Sequence, residues 1–124
     1  MSAARQALGR IGEAVAARWL RRHGWNVVAE RFRSGRRDLD LIVERDGTVA
    51  FVEVKTRRDT VFGDPIESVS WRKRRELIRS AKVWADRFGP PGASYRFDVI
   101  GVVVAGHDAR IRHVENAFSL PPAG

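Results

Sequence analysis

The chain contains no cysteine among its 124 residues, which excludes disulfide bonds and thiolate metal sites. No apolar run approaches the ~20 residues of a membrane-spanning helix, and the first residues lack the apolar segment of a signal peptide. We therefore expect a cytoplasmic protein with no membrane contact. The sequence also shows no glycine-rich phosphate loop, Ser-His-Asp arrangement or nucleotide fingerprint, so the common nucleotide-binding and serine-hydrolase classes are not indicated.

Hydrophobic residues make up 44% of the chain and charged residues 31%, which is typical of a soluble globular protein rather than a disordered one. The length predicts one domain that is large enough to bury a hydrophobic core without disulfide bonds or a structural metal. We expect this domain to span residues 1–118, with residues 119–124 as a tail.

The formal net charge is +8, and all but three of the 23 basic residues are arginine. Guanidinium groups match phosphate geometry, and a basic surface attracts polyanions. A nucleic-acid partner, most readily DNA, is one explanation of this charge. An arginine-biased host genome is the other, and composition alone leaves both open.

Apolar periodicity and turn residues define the expected elements of the fold. They predict helices over residues 3–23 and 70–88 and strands over 25–33, 38–45, 48–56, 95–104 and 110–114. A further helical turn is expected at residues 64–67, with Ser70 as an alternative cap for the second long helix. Three strands in a row suggest an antiparallel meander, and the later helix crosses back to a further, central strand. The predicted fold is an α/β sandwich with a mixed sheet flanked by helices.

The apolar face of the first helix is predicted to run along Leu8, Ile11, Val15 and Trp19, and Ala16 and Leu20 widen it. Gly9 and Gly12 lie beside this stripe and would permit close approach of a neighbouring element.

Asp46-Gly47 between two apolar runs is a strong hairpin signal. With a two-residue turn, Asp40 faces Glu53 and Asp38 faces Lys55, all on one side of the sheet. Opposed carboxylates repel, and a cation, a shared proton or a basic group would offset that repulsion. Mg²⁺ suits best, because it takes one or two carboxylates and completes its shell with water and phosphate oxygens. Lys55 could then hold the attacking water or a phosphate oxygen.

A solvent-facing stripe with an Asp38–Lys55 salt bridge is the alternative explanation of the same residues. Alternating charged and apolar residues are usual in a half-exposed strand. Helices on both sides in sequence favour covered faces, and so favour the site over the stripe.

Spacing and context together resemble a known nuclease superfamily. Asp40 and, after twelve intervening residues, Glu53-x-Lys55 resemble the PD-(D/E)xK superfamily with its restriction-endonuclease-like fold. More closely, the chain resembles the YraN family of small bacterial proteins. The matching segments are Gly12 to Ala16, Asp38 to Ile42, Phe51 to Arg57, Gly63-Asp64-Pro65, Lys73-Arg74 and Arg96 to Ile100.

The resemblance implies an αβββαβ core, in which Asp40 and Glu53 are metal ligands and Lys55 is the catalytic lysine. It adds the Val54 backbone carbonyl as a further ligand, and it matches Glu13 to a first-helix acid of distantly similar archaeal Holliday junction resolvases. The YraN family usually has glycine and glutamate where this chain has Arg37-Asp38, so Asp38 offers a shorter acid. The family is described as endonuclease-like, but its biochemical role is mostly unassigned.

Three acids are candidate accessory residues of the site: Asp38, Glu13 and Asp98. Glu13 lies on the flank of the first helix and either borders the site or is a solvated surface acid. Asp98 lies between apolar residues of the predicted central strand, where a charge is costly unless it is paired. It either pairs with an arginine or supports the site.

Basic residues cluster at the carboxylate end of the hairpin and at the start of the second long helix. Four cations at a helix N-terminus oppose the helix dipole, which hints at an external anion. The predicted contacts with the nucleic-acid backbone are Arg33, Arg36, Arg37, Arg57, Arg58, Arg72, Lys73 and Arg74.

These observations predict an Mg²⁺- or Mn²⁺-dependent endonuclease that hydrolyses DNA phosphodiesters, on branched or single-stranded DNA. A non-catalytic nucleic-acid-binding module and a scaffold subunit of a DNA-processing complex are the alternatives. A homodimer is expected if four-way junctions are cut symmetrically.

Overall fold

The computed structural model describes residues 2–58 and 69–118. The elements in chain order are α1 Ala3–Arg22, β1 Asn26–Ser34, β2 Arg37–Arg45, β3 Thr48–Arg57, α2 Trp71–Phe88, β4 Ser94–Ala105 and β5 Asp108–Phe118. All seven elements were predicted, with bounds that differ by a few residues. The predicted turn at residues 64–67 and the tail at 119–124 lie outside the described residues.

The five strands form one mixed sheet in the order β1-β2-β3-β4-β5. β1, β2 and β3 are antiparallel neighbours, and α2 crosses over to place β4 parallel to β3. β5 returns antiparallel to β4 at the sheet edge. The predicted α/β class, the meander, the crossover and the central position of β4 are all confirmed.

In the part of the chain that the structure describes, one helix covers each face of the sheet. On the α1 face, the core contains Ala16, Leu20, Val43, Val52 and Ile100. On the α2 face, it contains Ile42, Phe51, Leu77, Trp84 and Val99. The strands β2, β3 and β4 contribute to both clusters because alternate side chains point to opposite faces.

Local residues explain where the elements begin and turn. The Ser70 hydroxyl accepts the Lys73 N–H at the start of α2, so the cap predicted as an alternative is present. Asp46 and Gly47 both have positive φ, 50° and 80°, as the tight hairpin turn requires. Among the described residues, no helix is both long and apolar enough to cross a membrane.

The structure confirms part of the apolar face predicted for α1. Ala16 and Leu20 are buried, and Val15 and Trp19 pack against the same core cluster. Ile11 is 45% exposed, whereas Gly12, Ala16, Ala17 and Leu20 are buried. Small residues let the helix lie close to β3: a Cβ atom added at Gly12 would stand 1.8 Å from Thr56 Oγ1. The buried face therefore includes small residues that let the main chain of α1 pack against β3, with Gly12 against the Thr56 side chain.

This contact predicts opposite effects of alanine at the two glycines of α1. Gly12→Ala should destabilise the protein by about 1–3 kcal/mol, because the new methyl group overpacks against β3. Gly9→Ala is the matched control. A Cβ there meets nothing within 4 Å, so it should stabilise by up to about 1 kcal/mol through helix propensity. Urea unfolding of both variants measures the difference, and equal effects would contradict the packing.

Candidate active site

Asp40 lies where the β2–β3 ladder ends. The ladder runs from Arg45–Thr48 to Leu41–Val52 in the predicted register, which confirms the two-residue turn. Beyond Leu41, the Asp40 carboxylate accepts the Val54 N–H at 2.8 Å. The Asp40 side chain therefore accepts the Val54 N–H, which a backbone carbonyl of β2 would accept if the ladder continued.

The predicted pairing of Asp40 with Glu53, and of Asp38 with Lys55, is accordingly wrong for the described ladder. The regular alternation of side chains in β2 is broken at this point. Leu39 and Leu41 would share one face of a regular strand, but Leu39 packs in the α2-face cluster and Leu41 in the α1-face cluster. Asp38 pairs instead with Arg33 on β1, at 3.6 Å between charged atoms. Asp38 therefore does not hold Lys55 in the salt bridge that was the alternative explanation.

Glu53 is 8% exposed and contacts two lysines. Its Oε1 atom lies 3.5 Å from Lys55 Nζ and 2.7 Å from Lys73 Nζ. Lys73 comes from the first turn of α2, so this helix completes the site from the far side of the crossover. Within the described residues, both of these ion pairs end on Oε1.

Burial and the charge of Glu53 raise the pKa of Asp40 to about 8, although the Val54 N–H opposes the shift. Glu13 adds to the negative potential. Burial lowers the pKa of Lys55, and the adjacent Lys73 ammonium lowers it further. Burial also disfavours the charged form of Lys73, but the Glu53 carboxylate outweighs it and raises the pKa of Lys73. Burial is thus the largest cause of the raised pKa of Asp40, and the charge of Glu53 raises this pKa more than the charge of Lys73 lowers it.

These groups open into a cleft of about 620 Å³ at the carboxyl end of β3, which we call the acidic cleft. Its lining residues are Arg5, Leu8, Gly9, Glu13, Asp40, Glu53, Val54, Lys55, Thr56, Arg57 and Arg58. Glu13 is therefore at the border of the site, as its helical position allowed. Its carboxylate pairs with Arg31 Nε at 2.9 Å.

Asp40 and Glu53 are the side chains that could hold a divalent cation. The described residues contain no group of three His, Cys, Asp or Glu side chains arranged to bind a metal. Two carboxylates are nevertheless enough for Mg²⁺, which keeps several waters. The raised pKa of Asp40 is the observation that fits a cation, because a nearby positive charge would relieve the cost of ionising it.

Asp98 lies outside the acidic cleft, in a buried network on β4 and β5. Its carboxylate accepts hydrogen bonds from His113 Nε2 at 2.7 Å and from the Asn116 N–H at 2.9 Å. Arg96 Nε lies 3.0 Å away. These donors overcome the effect of burial and lower the pKa of Asp98. Of the two roles considered for Asp98, the structure therefore favours structural pairing.

The predicted nucleic-acid contacts divide by position. Arg57 and Arg58 line the acidic cleft, and Arg36 and Arg72 line a second cleft beside α2. Arg37 pairs with Glu76 and Arg33 with Asp38. The Arg74 guanidinium stacks on Trp71 and Phe118 and donates to the Val69 carbonyl, so it is held by the protein itself.

Two residues of the site were not predicted as such. Lys73 was expected to contact DNA, but its ammonium is the one nearest to Glu53. Arg31, which pairs with Glu13, has a φ of 53°. Neither role has a local signal in the sequence, because each depends on how distant elements pack.

Comparison with known proteins identifies the family. The model of an uncharacterised protein family, UPF0102, matches residues 12–102. A UPF0102 protein from Nocardia farcinica is 44% identical over 92% of this chain and 91% of its own length. Similar relatives come from Chloroherpeton thalassium, 39% identical over 93% of this chain and 84% of its own, and from Alkaliphilus metalliredigens, 34% identical over 91% and 98%.

All of the residues at the acidic cleft except Arg5, Leu8 and Gly9 fall within the matched range. The chain therefore belongs to the UPF0102 family, which is the YraN family that its motifs resemble.

Proposed function

We propose that this protein is a divalent-metal-dependent endonuclease that hydrolyses DNA phosphodiester bonds. The observation that carries the proposal is the juxtaposition, in one open cleft, of the partly buried Asp40 and the buried Glu53 with Lys55. Lys73 reaches Glu53 from α2. Arginines on the rim of the same cleft supply charge for a phosphate backbone. Such a set is costly in a fold that needs only stability, which favours a functional origin.

Each residue has a role that follows from its chemistry. Asp40 and Glu53, with the Val54 carbonyl, hold Mg²⁺ or Mn²⁺, which when bound would neutralise charge on the transferring phosphoryl group and acidify a water. Lys55, whose pKa is lowered, orients and accepts a proton from the attacking water. Lys73 keeps Glu53 in position and offers its ammonium to a phosphate oxygen. Arg57 and Arg58 hold the flanking backbone.

A cleavage assay tests the proposal. Purified wild-type protein and Asp40→Ala are incubated with labelled duplex, single-stranded and four-way-junction DNA, and with matching RNA, in Mg²⁺, Mn²⁺ or EDTA. We expect metal-dependent DNA cleavage by the wild type and a loss of at least about 10³-fold in Asp40→Ala, because removing one ligand displaces the metal and the water. Cleavage that is unchanged in Asp40→Ala would contradict the assignment of nuclease activity to this site.

The assay also separates the alternatives. Binding to every substrate without cleavage favours a nucleic-acid-binding module in which the acids no longer act. Failure to bind any of them favours a scaffold subunit. Symmetric cleavage of the junction calls for a homodimer, which sedimentation at assay concentration would reveal.

A further inference from the structure

A second cleft, lined by basic residues, lies beside the acidic cleft, between the β1–β2 turn and the outer face of α2. Its volume is about 540 Å³. Its lining residues are Ser34, Gly35, Arg36, Arg72, Arg75, Glu76, Arg79, Ser80 and Val83. Four of these nine residues are arginine, and we call this the arginine cleft. Arg75 is one of the four cations at the start of α2 that were expected to face an external anion. Arg79 was not predicted as a contact, since the pattern of α2 alone does not show what its polar face adjoins.

The walls of the arginine cleft are fixed to each other. Ser80 Oγ lies 2.9 Å from the Ser34 carbonyl oxygen and 3.0 Å from that of Arg37, and these two acceptors share its one hydroxyl proton. Arg37 also pairs with Glu76 on α2. Gly35, with a φ of 63°, lets the turn fold back over the helix. The cleft is therefore held open in one shape rather than formed by loose side chains.

Positive charge in this cleft exceeds what the protein neutralises within the described residues. Glu76 is the one acid in the lining, and it is already shared between Arg37 and Arg72. The hydrogen bond and charge of Arg37, followed by Arg72 and Arg36, lower the pKa of Glu76. Among the described residues, the guanidinium groups of Arg75 and Arg79 have neither an ion pair nor a hydrogen bond. Clustered like charges repel, and an external anion would relieve that repulsion.

Position links the arginine cleft to the acidic cleft. β2 and β3 are antiparallel, so the β1–β2 turn and the carboxyl end of β3 lie at the same end of the sheet. On the first turn of α2, Lys73 reaches inward to Glu53, while its neighbour Arg72 lines the arginine cleft. One turn of helix therefore separates the two clefts, and a continuous ligand could contact both.

We propose that the arginine cleft binds the sugar–phosphate backbone of duplex DNA that flanks the phosphodiester in the acidic cleft. The proposal rests on the proposed function for the identity of that ligand. Guanidinium forks bind phosphate oxygens in pairs, and a duplex presents phosphates at regular intervals along both clefts. An acidic peptide could match the charge of the arginine cleft, but it would not continue into a site built for a phosphodiester.

Equilibrium binding without hydrolysis tests this proposal. Fluorescence anisotropy in EDTA measures the affinity of a labelled duplex over a series of salt concentrations. The charge-removing variant is Arg75→Ala/Arg79→Ala. The matched control is Arg87→Ala/Arg110→Ala, which removes two exposed arginines outside both clefts, one of them also on α2. Thermal melting verifies that both variants are folded.

We expect the cleft variant to bind duplex at least about tenfold more weakly than wild type. The slope of log affinity against log salt should become shallower by about 1.8, since each lost phosphate contact removes about 0.9. The control should keep the wild-type slope. Equal slopes in the two folded variants, or no duplex binding by wild type, would overturn the proposal.

A parallel titration with polyglutamate distinguishes the ligand. If it binds as tightly as duplex and depends equally on Arg75 and Arg79, the cleft recognises acidic polypeptide and the DNA assignment is wrong. The binding measurements contain no metal and therefore do not depend on cleavage. A protein that binds duplex through Arg75 and Arg79 but does not cleave DNA in the separate assay with metal would contradict the proposed function alone. Cleavage that is independent of both arginines, with unchanged binding, would contradict this inference alone.

Discussion

Asp40→Asn is expected to stabilise the metal-free protein at pH 8 by at least about 2 kcal/mol, while abolishing metal-dependent stabilisation and cleavage. The pKa of Asp40 is about 8 in the folded protein and about 3.9 in an unfolded chain. Asparagine keeps an acceptor for the Val54 N–H but carries no charge beside Glu53. The substitution therefore removes the cost of ionising a partly buried group and leaves its hydrogen bond in place.

The pH dependence follows from the direction of that shift. Below about pH 4, Asp40 is protonated in both states and costs nothing. Between about pH 4 and pH 8, the unfolded chain loses the proton while the folded protein retains it, so stability falls as pH rises. Urea unfolding of wild type in EDTA should show this decline, and Asp40→Asn should show much less of it.

Added Mg²⁺ provides the counterpart measurement. A cation that binds the ionised folded form stabilises by mass action, so it should restore wild-type stability near pH 8 and leave Asp40→Asn unchanged. Asp38→Asn is the matched control, because that acid is half-exposed on the surface beside Arg33. A wild-type protein that is insensitive to Mg²⁺ would argue against a metal at Asp40.

Lys73→Met is expected to lower cleavage by roughly 10²-fold, the usual cost of losing one electrostatic contact at a transition state. It should also destabilise the metal-free protein, because Glu53 loses its nearest ammonium and stays buried. Lys82→Met is the control: Lys82 is the remaining lysine of α2 and is exposed. It should behave as wild type in both measurements.

A pH–rate profile separates a role in the site from a purely structural one. Lys73 lowers the pKa of Lys55, so its removal should let that pKa rise. The limb of the profile that reports deprotonation of Lys55 should then move to higher pH in Lys73→Met, and Lys73→Arg should return it toward wild type. An unshifted profile with normal stability would show that Lys73 has no part in the reaction.

Local sequence signals were sufficient for most of the architecture. Asp46-Gly47 predicted the hairpin, because few other residue pairs adopt two positive φ angles cheaply. The Ser70 cap and the apolar run of β4 were also predictable, because both are set by residues that are adjacent in the chain. The same register argument brought Asp40 and Glu53 to one end of the hairpin, and the acidic cleft lies at that end.

The details of the site depended on contacts between distant segments. No pattern in β2 indicates that Asp40 would bond to the Val54 N–H instead of continuing the ladder. The partner of Lys73 was likewise hidden, because a basic helix start is compatible with both a solvated face and a buried ion pair. The exposure of Ile11 on α1 has a related reason: Gly12 lets the main chain of the helix pack against the Thr56 side chain, which a count of large side chains does not register.

The sequence by itself determined the elements, the mixed sheet and the residues that make a metal-dependent site chemically reasonable, since these follow from periodicity, turn conformation and side-chain type. Only the tertiary structure decided which cation contacts Glu53, where Asp38 and Asp98 find their partners, and which arginines face a common cleft. Those outcomes depend on the crossover of α2 and the folding back of the β1–β2 turn. Each brings together groups that are far apart in the chain and that no local spacing relates.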